Sequence, residues 1–320
     1  MIALKTPSFW YDTSQQVRWK RKVLRPLSVL YDIGRRGHRL LAYPQPLPLS
    51  SIVLGGSTVG GSGKTPTALA LAQFFQSRGQ KVHFLSRGYG GKSGTLTRVT
   101  EAHTAREVGD EPLLLAERAP TWVVANRLVA AQRAAEAGAQ ILILDDGFHN
   151  PHLQATISVL VYDAQQGFGN GALLPAGPLR APIAETLARA TLVVSLGGAF
   201  PLPSPIPVLQ AHLVPKIPPP LKTQRAVAFA GLGFPEKFFR TLQDAGVSLV
   251  QTFSFPDHHF YKEKELRFLK DEACRHHAFL ITTRKDFVRL SEEERAGILS
   301  FDVSLVWQHP EELDTYFSLL

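Results

Sequence analysis

A short glycine-rich stretch of the sequence has the residue types that bind the phosphates of a nucleotide. It reads Gly60-Gly61-Ser62-Gly63-Lys64-Thr65. Glycines allow backbone N–H groups to close around phosphate oxygens, and the N-terminus of a following helix adds positive potential. In such a loop Lys64 reaches the β- and γ-phosphates, and the Thr65 hydroxyl binds Mg²⁺. The stretch therefore predicts a nucleotide-binding P-loop.

The loop departs from the usual motif at one position. Counting back from Gly63, the first glycine of the motif falls on Thr58. An alternative interpretation is a glycine-rich turn followed by an accidental Gly-Lys-Thr. A strand is predicted before the loop and a helix after it, which is the context that a P-loop needs. We therefore include Thr58 among the residues expected to bind the nucleotide.

Two adjacent carboxylates could complete a metal site. The apolar run 141–144 is followed directly by Asp145 and Asp146. In P-loop proteins an acid at the end of a nearby strand orders the Mg²⁺ shell, as in the Walker B element. An apolar run followed by aspartate is common, but together with the P-loop it predicts a magnesium site. Which of the two carboxylates lies nearer the metal stays open.

Alternating apolar runs and helical patterns predict an α/β fold from residue 51 onward. The runs are short and rich in Val, Ile and Leu, as in buried strands of a mostly parallel sheet. We predict strands at 51–54, 82–85, 122–125, 141–144, 157–161 and 192–196. We predict helices at 67–76 and 128–137. This pattern is typical of a P-loop NTPase-like sheet with helices on both faces.

A proline-rich region interrupts the alternation at 201–220, and because proline lacks a backbone donor we expect no central strand or helix there. Beyond it, strands are predicted at 226–230, 247–253, 279–282 and 303–306, and helices at 236–244 and 262–274. The predicted organisation is a basic segment at 1–50, a P-loop domain at 51–200, a linker at 201–224 and a smaller α/β domain at 225–320.

The positive charge of the chain is concentrated in its first 50 residues. The net charge is +8, of which residues 1–50 carry +7 and the other 270 residues +1. Apolar residues such as Leu24, Leu27 and Leu30 are mixed with these charges at helical spacing. The segment is either an amphipathic foot on a membrane surface or a helix packed on the body with solvated charges. Pro26 argues against one long helix.

Composition excludes several classes of protein. The 44% hydrophobic fraction is typical of a globular protein, and 320 residues predict two domains. A single cysteine, Cys274, excludes a disulfide framework and a cysteine-based zinc site. No apolar stretch reaches the roughly 18 residues that span a bilayer, and the start lacks a signal-peptide pattern. We therefore expect the chain in the cytoplasm.

Seven motifs, taken in order, resemble those of the tetraacyldisaccharide 4'-kinase (lipid A kinase) family, which also has threonine at the first Walker position. They are Thr58-Val59-Gly60-Gly61-Ser62-Gly63-Lys64-Thr65-Pro66, Ser86-Arg87-Gly88-Tyr89-Gly90, Val108-Gly109-Asp110-Glu111-Pro112, Asp145-Asp146-Gly147-Phe148, Leu174-Pro175-Ala176-Gly177-Pro178-Leu179-Arg180, Phe255-Pro256-Asp257-His258 and Lys285-Asp286. The chain departs from the family's usual pattern at Gly56, at His149-Asn150 and at Arg284.

The resemblance implies an activity and a location. It implies transfer of phosphate from ATP, with Mg²⁺, to the 4'-hydroxyl of a tetraacyldisaccharide 1-phosphate lipid. It implies a peripheral enzyme on the cytoplasmic face of the inner membrane, in contact with an anionic surface. Carried over by motif, Asp110 is expected to be the catalytic base with His258 as its partner, and Lys64 to act on the phosphates.

Two other functions fit part of the sequence. A P-loop switch or assembly ATPase would share the loop and the two aspartates. A nucleic-acid-dependent ATPase would use the basic segment to bind phosphates. The motifs around Asp110 and His258, together with the apolar residues among the basic ones, favour the kinase, and we expect no nucleic-acid partner. Arg87 and Arg180 are further candidates for phosphate contacts.

Overall fold

The computed structural model describes residues 7–12, 14, 18–92, 94–202, 206–216, 224–318 and 320. The strands are β1 (Gln45–Pro46), β2 (Ser50–Gly56), β3 (Val82–Ser86), β4 (Thr97–Arg98), β5 (Thr121–Val123), β6 (Ile141–Leu144), β7 (Leu153–Gln154), β8 (Ile157–Asp163), β9 (Leu192–Leu196), β10 (Val208–Lys216), β11 (Arg225–Ala230), β12 (Ser248–Ser254), β13 (Phe279–Thr283) and β14 (Ile298–Trp307). The helices are α1 (Arg18–Leu40), α2 (Lys64–Gln76), α3 (Ala105–Val108), α4 (Asp110–Ala116), α5 (Arg127–Glu136), α6 (Ile183–Arg189), α7 (Pro235–Asp244), α8 (Glu263–Arg275), α9 (Arg284–Phe287), α10 (Glu292–Arg295) and α11 (Glu312–Phe317).

Twelve of these strands form one mostly parallel sheet. Their order is β12-β11-β13-β14-β10-β9-β8-β2-β6-β3-β5-β4, and β1 pairs separately with β7. The pairs β10–β14 and β4–β5 are antiparallel, and the other pairs in the large sheet are parallel. Each strand predicted from the sequence overlaps a strand of this sheet, so the prediction of a mostly parallel α/β sheet is confirmed.

Central strands form where apolar residues are continuous, because both faces of the sheet are covered by helices. All four residues of β6 are buried between β2 and β3. One core cluster packs α2 against one face of this part of the sheet, and another packs α5 against strands on the other. The same burial aligns the ends of β2 and β6, where the P-loop and the two aspartates begin.

The expectation that the proline-rich region contains no central strand is wrong. The strand β10 lies between β9 and β14 near the middle of the sheet. Gln308 N donates to Gln210 O at 2.9 Å, so every second residue from 210 is in a hydrogen-bonded pair with β14. Pro215 falls on an alternate position, where the nitrogen faces away from β14. Its other side is open, because the pairing with β9 ends at Ala211.

The β10–β14 pair also reverses the direction of the strands that follow. Residues 211–216 of β10 pair with 302–307 of β14, and residues 298–301 of β14 continue into the pairing with β13. The second group of strands (β11–β14) is therefore displaced along the sheet and runs opposite to the first group (β2, β3, β5, β6, β8 and β9). The carboxyl ends of the two groups face each other across a cleft of about 1670 Å³. The division of the chain into two domains stays a prediction.

The basic segment contains one long helix, which corrects the expectation drawn from Pro26. The helix α1 continues through this proline. Pro26 and Lys22, whose carbonyl loses its helical donor, are both exposed, so water can satisfy that carbonyl. Among the described residues, we find no helix with the length and apolar character to cross a bilayer.

Polar contacts dock α1 on the body and leave an apolar face uncovered. Ser28 Oγ donates to Leu173 O at 2.9 Å, and Tyr31 Oη donates to Arg180 O at 2.9 Å. The large exposed apolar side chains of α1 include Trp19, Val23, Leu27, Leu30 and Ile33, which repeat every three or four residues. The helix therefore packs on the body and also presents an apolar stripe, and its contact with a membrane surface stays a prediction.

The helix α11 belongs to the core of the first group of strands. Its Phe317 is 3% exposed and lies 5.9 Å from Phe74 and 5.7 Å from Phe75 of α2, between ring centroids. Leu313 is buried in the same cluster. Residues distant in sequence from the P-loop therefore complete the packing behind its helix.

We expect Phe317→Ala to lower the free energy of unfolding by about 3–5 kcal/mol, because it removes a buried aromatic ring and leaves a cavity. Denaturation in guanidinium chloride measures this loss. Asp314→Ala on the same helix removes only an exposed ion pair with Arg78, and should cost about 1 kcal/mol or less. Equal losses for the two variants would contradict this account of the core.

Candidate active site

The P-loop joins β2 to α2 at the mouth of the cleft. Gly60 and Gly63 have positive φ values of 110° and 82°, which favour glycine. A Cβ on Gly63 would also lie 2.2 Å from Leu196 Cδ1. The Ser62 hydroxyl is buried without a hydrogen-bond partner in the described parts of the chain. The loop therefore has the positive-φ conformation that a phosphate cradle requires.

The predicted loop residues fall into two groups. Residues 59–66, which include Gly60, Gly61 and Thr65, line the cleft. Thr58 is 3% exposed and forms a bridge with Leu179 behind the loop. Val59 N donates to Pro178 O at 2.9 Å, which anchors the loop to the segment before Arg180. Thr58 is thus placed to support the loop, and its predicted role in nucleotide binding stays a prediction.

Asp145 and Asp146 have opposite electrostatic surroundings. Asp145 is buried, and burial with the nearby Glu111 carboxylate raises its pKa to about 7. Burial acts in the same direction on Asp146, but the cations of Lys64 and Arg180 outweigh it and hold the pKa of Asp146 below its ordinary value. The Asp146 carboxylate lies 3.7 Å from Lys64 Nζ and 3.2 Å from Arg180 Nη1.

These side chains offer the oxygen ligands that Mg²⁺ prefers. Thr65 Oγ1 donates to Asp145 Oδ2 at 3.0 Å, and Asp145 Oδ1 is buried without a partner among the described residues. Asp146 Oδ1 also lacks a hydrogen-bond donor there, and its residue has a positive φ of 54°. The uncompensated burial of Asp145 and the hydroxyl beside it fit a divalent cation at this point.

The structure brings Asp110 and His258 together from opposite groups of strands. Asp110 begins α4, and His258 follows β12. Asp110 Oδ2 lies 2.9 Å from His258 Nδ1 and accepts from Arg289 Nε at 2.7 Å, and Asp110 Oδ1 accepts from Glu111 N at 2.8 Å. Asp110 is 3% exposed, whereas the His258 ring lines the cleft. The imidazole therefore stands between the carboxylate and the cleft.

Sequence reasoning missed the residue that holds this pair. Arg289 is buried between Asp110 and Asp286, and its Nη1 lies 2.6 Å from Asp286 Oδ1. Tyr261 Oη donates to the same Asp286 oxygen at 2.8 Å. Arg289 lies one helical turn after the Lys285-Asp286 motif, and that spacing is the signal in the sequence that could have indicated it.

The same cations set the charge state of Asp110. Burial alone would raise the pKa of its carboxyl, but the neighbouring Lys285 ammonium and Arg289 guanidinium, together with His258, hold that pKa well below its usual range. Lys285 Nζ also lies 3.0 Å from Glu111 Oε1 and 3.5 Å from His258 Nε2. Asp110 is therefore a permanently ionised carboxylate that accepts hydrogen bonds from fixed donors.

Two of the departures from the family pattern contact each other. His149 Nε2 lies 2.7 Å from Gly56 O, and burial lowers the pKa of this histidine to about 4, so its ring is neutral and can donate here. A Cβ on Gly56 would lie 2.4 Å from Ser62 Oγ. The third departure, Arg284, pairs with Glu117 at 2.6 Å across the cleft. The first two positions thus form one local arrangement under the P-loop.

We expect Arg289→Met to lower the free energy of unfolding by about 3–5 kcal/mol, because it removes the buried cation that pairs with both Asp110 and Asp286. Urea denaturation measures the loss. Arg284→Met removes an ion pair that is partly exposed, and should cost about 1 kcal/mol or less. A small loss for Arg289→Met would show that these ion pairs contribute little to the free energy of unfolding.

Comparison with known proteins agrees with this geometry. The family model described as Tetraacyldisaccharide-1-P 4'-kinase (LpxK) matches residues 20–318. The Tetraacyldisaccharide 4'-kinase of Rhodospirillum centenum is 43% identical over 97% of this chain and 95% of its own length. That of Parvibaculum lavamentivorans is 44% identical over 90% and 87%.

A solved structure is similar over almost the whole chain. The crystal structure of LpxK from Aquifex aeolicus in complex with ATP has a TM-score of 0.76 and 26% identity, and covers 93% of this chain and 98% of that one. This likeness supports the predicted P-loop NTPase-like fold, and neither alternative function is favoured by these matches. The chain belongs to the tetraacyldisaccharide 4'-kinase family.

Proposed function

We propose that the chain transfers the γ-phosphoryl group of ATP to the 4'-hydroxyl of a tetraacyldisaccharide 1-phosphate, a precursor of lipid A. The observation that carries the proposal is the position of the Asp110–His258 pair in the cleft that the P-loop also lines. A nucleotide-hydrolysing switch needs no base for a sugar hydroxyl, whereas a kinase does. Membership of the family supplies the identity of the acceptor.

The P-loop and the two aspartates would hold the phosphoryl donor. ATP supplies the phosphoryl group, and Mg²⁺ neutralises charge on the phosphate oxygens. Backbone N–H groups of the loop around Gly61 and Gly63 cradle the phosphates, and the Lys64 ammonium contacts the terminal ones. The Thr65 hydroxyl and the Asp145 carboxylate, with Asp146 beside them, would hold the metal. Lys64 would leave Asp146 for the phosphates, since 3.7 Å is a loose ion pair.

The geometry favours His258 as the group that takes the proton. Asp110, the base expected from the motif, is buried, saturated with hydrogen bonds and strongly acidic, so it is a weak acceptor. Its oxygen lies at His258 Nδ1, so Nε2 is the nitrogen that would accept the hydroxyl proton, in place of its 3.5 Å contact with Lys285 Nζ. Asp110 would fix the tautomer of the ring and stabilise the imidazolium, as the aspartate of a catalytic triad does. Arg289 would position Asp110.

The test is transfer of phosphate from ATP to purified tetraacyldisaccharide 1-phosphate in detergent micelles. We expect a 4'-phosphorylated product, and a kcat at least about 100-fold lower for His258→Ala. Added imidazole should restore part of that rate, because it replaces the missing ring. Asp110→Asn keeps the ring and should not respond to imidazole. Near-normal turnover of His258→Ala would exclude His258 as the base, and absence of any transfer by the native chain would reject the function.

We also propose that α1 lies on the cytoplasmic surface of the inner membrane. The apolar stripe that includes Trp19, Leu27 and Leu30 is more than half exposed, and Lys20 and Lys22 flank it. Such a helix would bury its stripe at the level of the headgroups, and the lysines would contact anionic lipids. The polar contacts of Ser28 and Tyr31 with the body would then hold the cleft close to the bilayer that contains the substrate.

Replacing Leu27 and Leu30 together by glutamate should reduce binding to phosphatidylglycerol vesicles by at least about tenfold, because it removes apolar area and adds like charge. Flotation of vesicles measures the bound fraction. Val129→Glu is a similar change on an exposed side chain of α5 and should leave binding intact. Unchanged flotation of the double variant would reject this surface.

A further inference from the structure

A second, smaller cavity lies between α1 and the residues that follow Leu179, which forms the bridge with Thr58 behind the P-loop. Its volume is about 180 Å³, where a single water molecule requires roughly 10–15 Å³. Four arginines, two histidines and a tyrosine line it: Arg35, Arg39, Arg180, Arg189, His38, His149 and Tyr31. His38, His149 and Arg180 also line the large cleft, so the two spaces lie next to each other.

The cavity has more positive than negative charge. Arg35 and Arg39 share the Glu185 carboxylate, and Arg35 also pairs with Asp32. Asp32 in turn pairs with Arg36, which does not line the cavity. The carboxylates near the cavity are therefore shared among several guanidinium groups.

Two guanidinium groups that line the cavity could still form hydrogen bonds or ion pairs with an anion. Arg189 Nη2 donates to Phe148 O at 2.7 Å, and no carboxylate in the described ranges forms an ion pair with Arg189. Burial and the neighbouring cations of Arg39 and Arg35 hold the pKa of Arg189 below its ordinary value. Arg180 Nε is buried without a hydrogen-bond partner among the described residues. An anion in the cavity would satisfy both groups.

We propose that this cavity binds the 1-phosphate of the lipid substrate while the 4'-hydroxyl lies at the P-loop. The inference rests on the proposed function. A phosphate monoester carries nearly two negative charges at neutral pH and accepts hydrogen bonds at three oxygens, which suits a cluster of guanidinium forks. A bilayer phospholipid of the phosphatidylglycerol type is a diester with a single charge, and matches the cluster less well.

The position of the cavity agrees with an acceptor that has two ends. It adjoins the large cleft at Arg180, whose guanidinium also pairs with Asp146 beside the P-loop. On its other side it is bounded by Arg35 and Arg39 of α1, the helix that presents its apolar stripe away from the body. A disaccharide could thus extend from the P-loop to the helix, with its acyl chains directed to the apolar side.

The test compares two acceptors, the disaccharide with and without its 1-phosphate, in neutral detergent micelles. For Arg39→Gln we expect kcat/KM on the 1-phosphate lipid to fall by about 10- to 100-fold, mainly through KM, because a charge-assisted contact away from the reacting hydroxyl is lost. On the lipid without the phosphate, kcat/KM should change by less than about twofold. The KM for ATP and the thermal midpoint report whether the variant is folded.

Arg36→Gln is the matched control, since it removes the same charge from the same helix outside the cavity. Any loss that it causes should be equal for the two lipids. A loss in Arg39→Gln that is equal for the two lipids, or absent, would overturn the proposal while leaving the 4'-kinase function standing. A loss that appears only after phosphatidylglycerol is added would assign the cavity to bilayer lipids, and would overturn it as well. Failure of the native chain to phosphorylate either lipid would reject the proposed function itself.

Discussion

The antiparallel pairing of β10 with β14 is the constraint on which the active site depends. In a parallel sheet, ligands bind beyond the carboxyl ends of the strands, because the loops and helix N-termini meet there. A single sheet of one direction would offer one such edge. By reversing and displacing the second group of strands, this pairing places two carboxyl edges opposite each other. The P-loop lies on one edge, and the Asp110–His258 pair joins the two edges across the cleft.

Three aspartates of the site differ in charge state because their surroundings differ. Asp110 is surrounded by cations and stays ionised, so it can orient an imidazole. Asp145 is buried beside the Glu111 carboxylate, and both effects raise its pKa. Asp146 lies between Lys64 and Arg180 and links the P-loop to the second cavity. The positions of the neighbouring arginines and lysines therefore determine the charge states of these aspartates.

The sequence could predict what is local. The P-loop and Asp145 each follow a strand, and because those two strands are parallel neighbours, the P-loop and Asp145 lie close together. The pairing of Asp110 with His258 joins residues far apart in the chain, and it came from family resemblance. Arg289 was missed because a buried arginine looks like any surface arginine in sequence. β10 was missed because proline was expected to be excluded from a central strand, although only alternate residues of a strand donate their N–H to a given neighbour.

The packing of α11 has a consequence for how the chain can fold. The cluster behind the P-loop helix contains Leu313 and Phe317, and β14 joins the sheet beside β10. During synthesis the first group of strands can pair as it emerges, but its hydrophobic interior stays partly open until about 240 further residues beyond Phe75 have left the ribosome. The core behind the P-loop is therefore completed only by sequence made last, and its nascent form exposes apolar side chains until then.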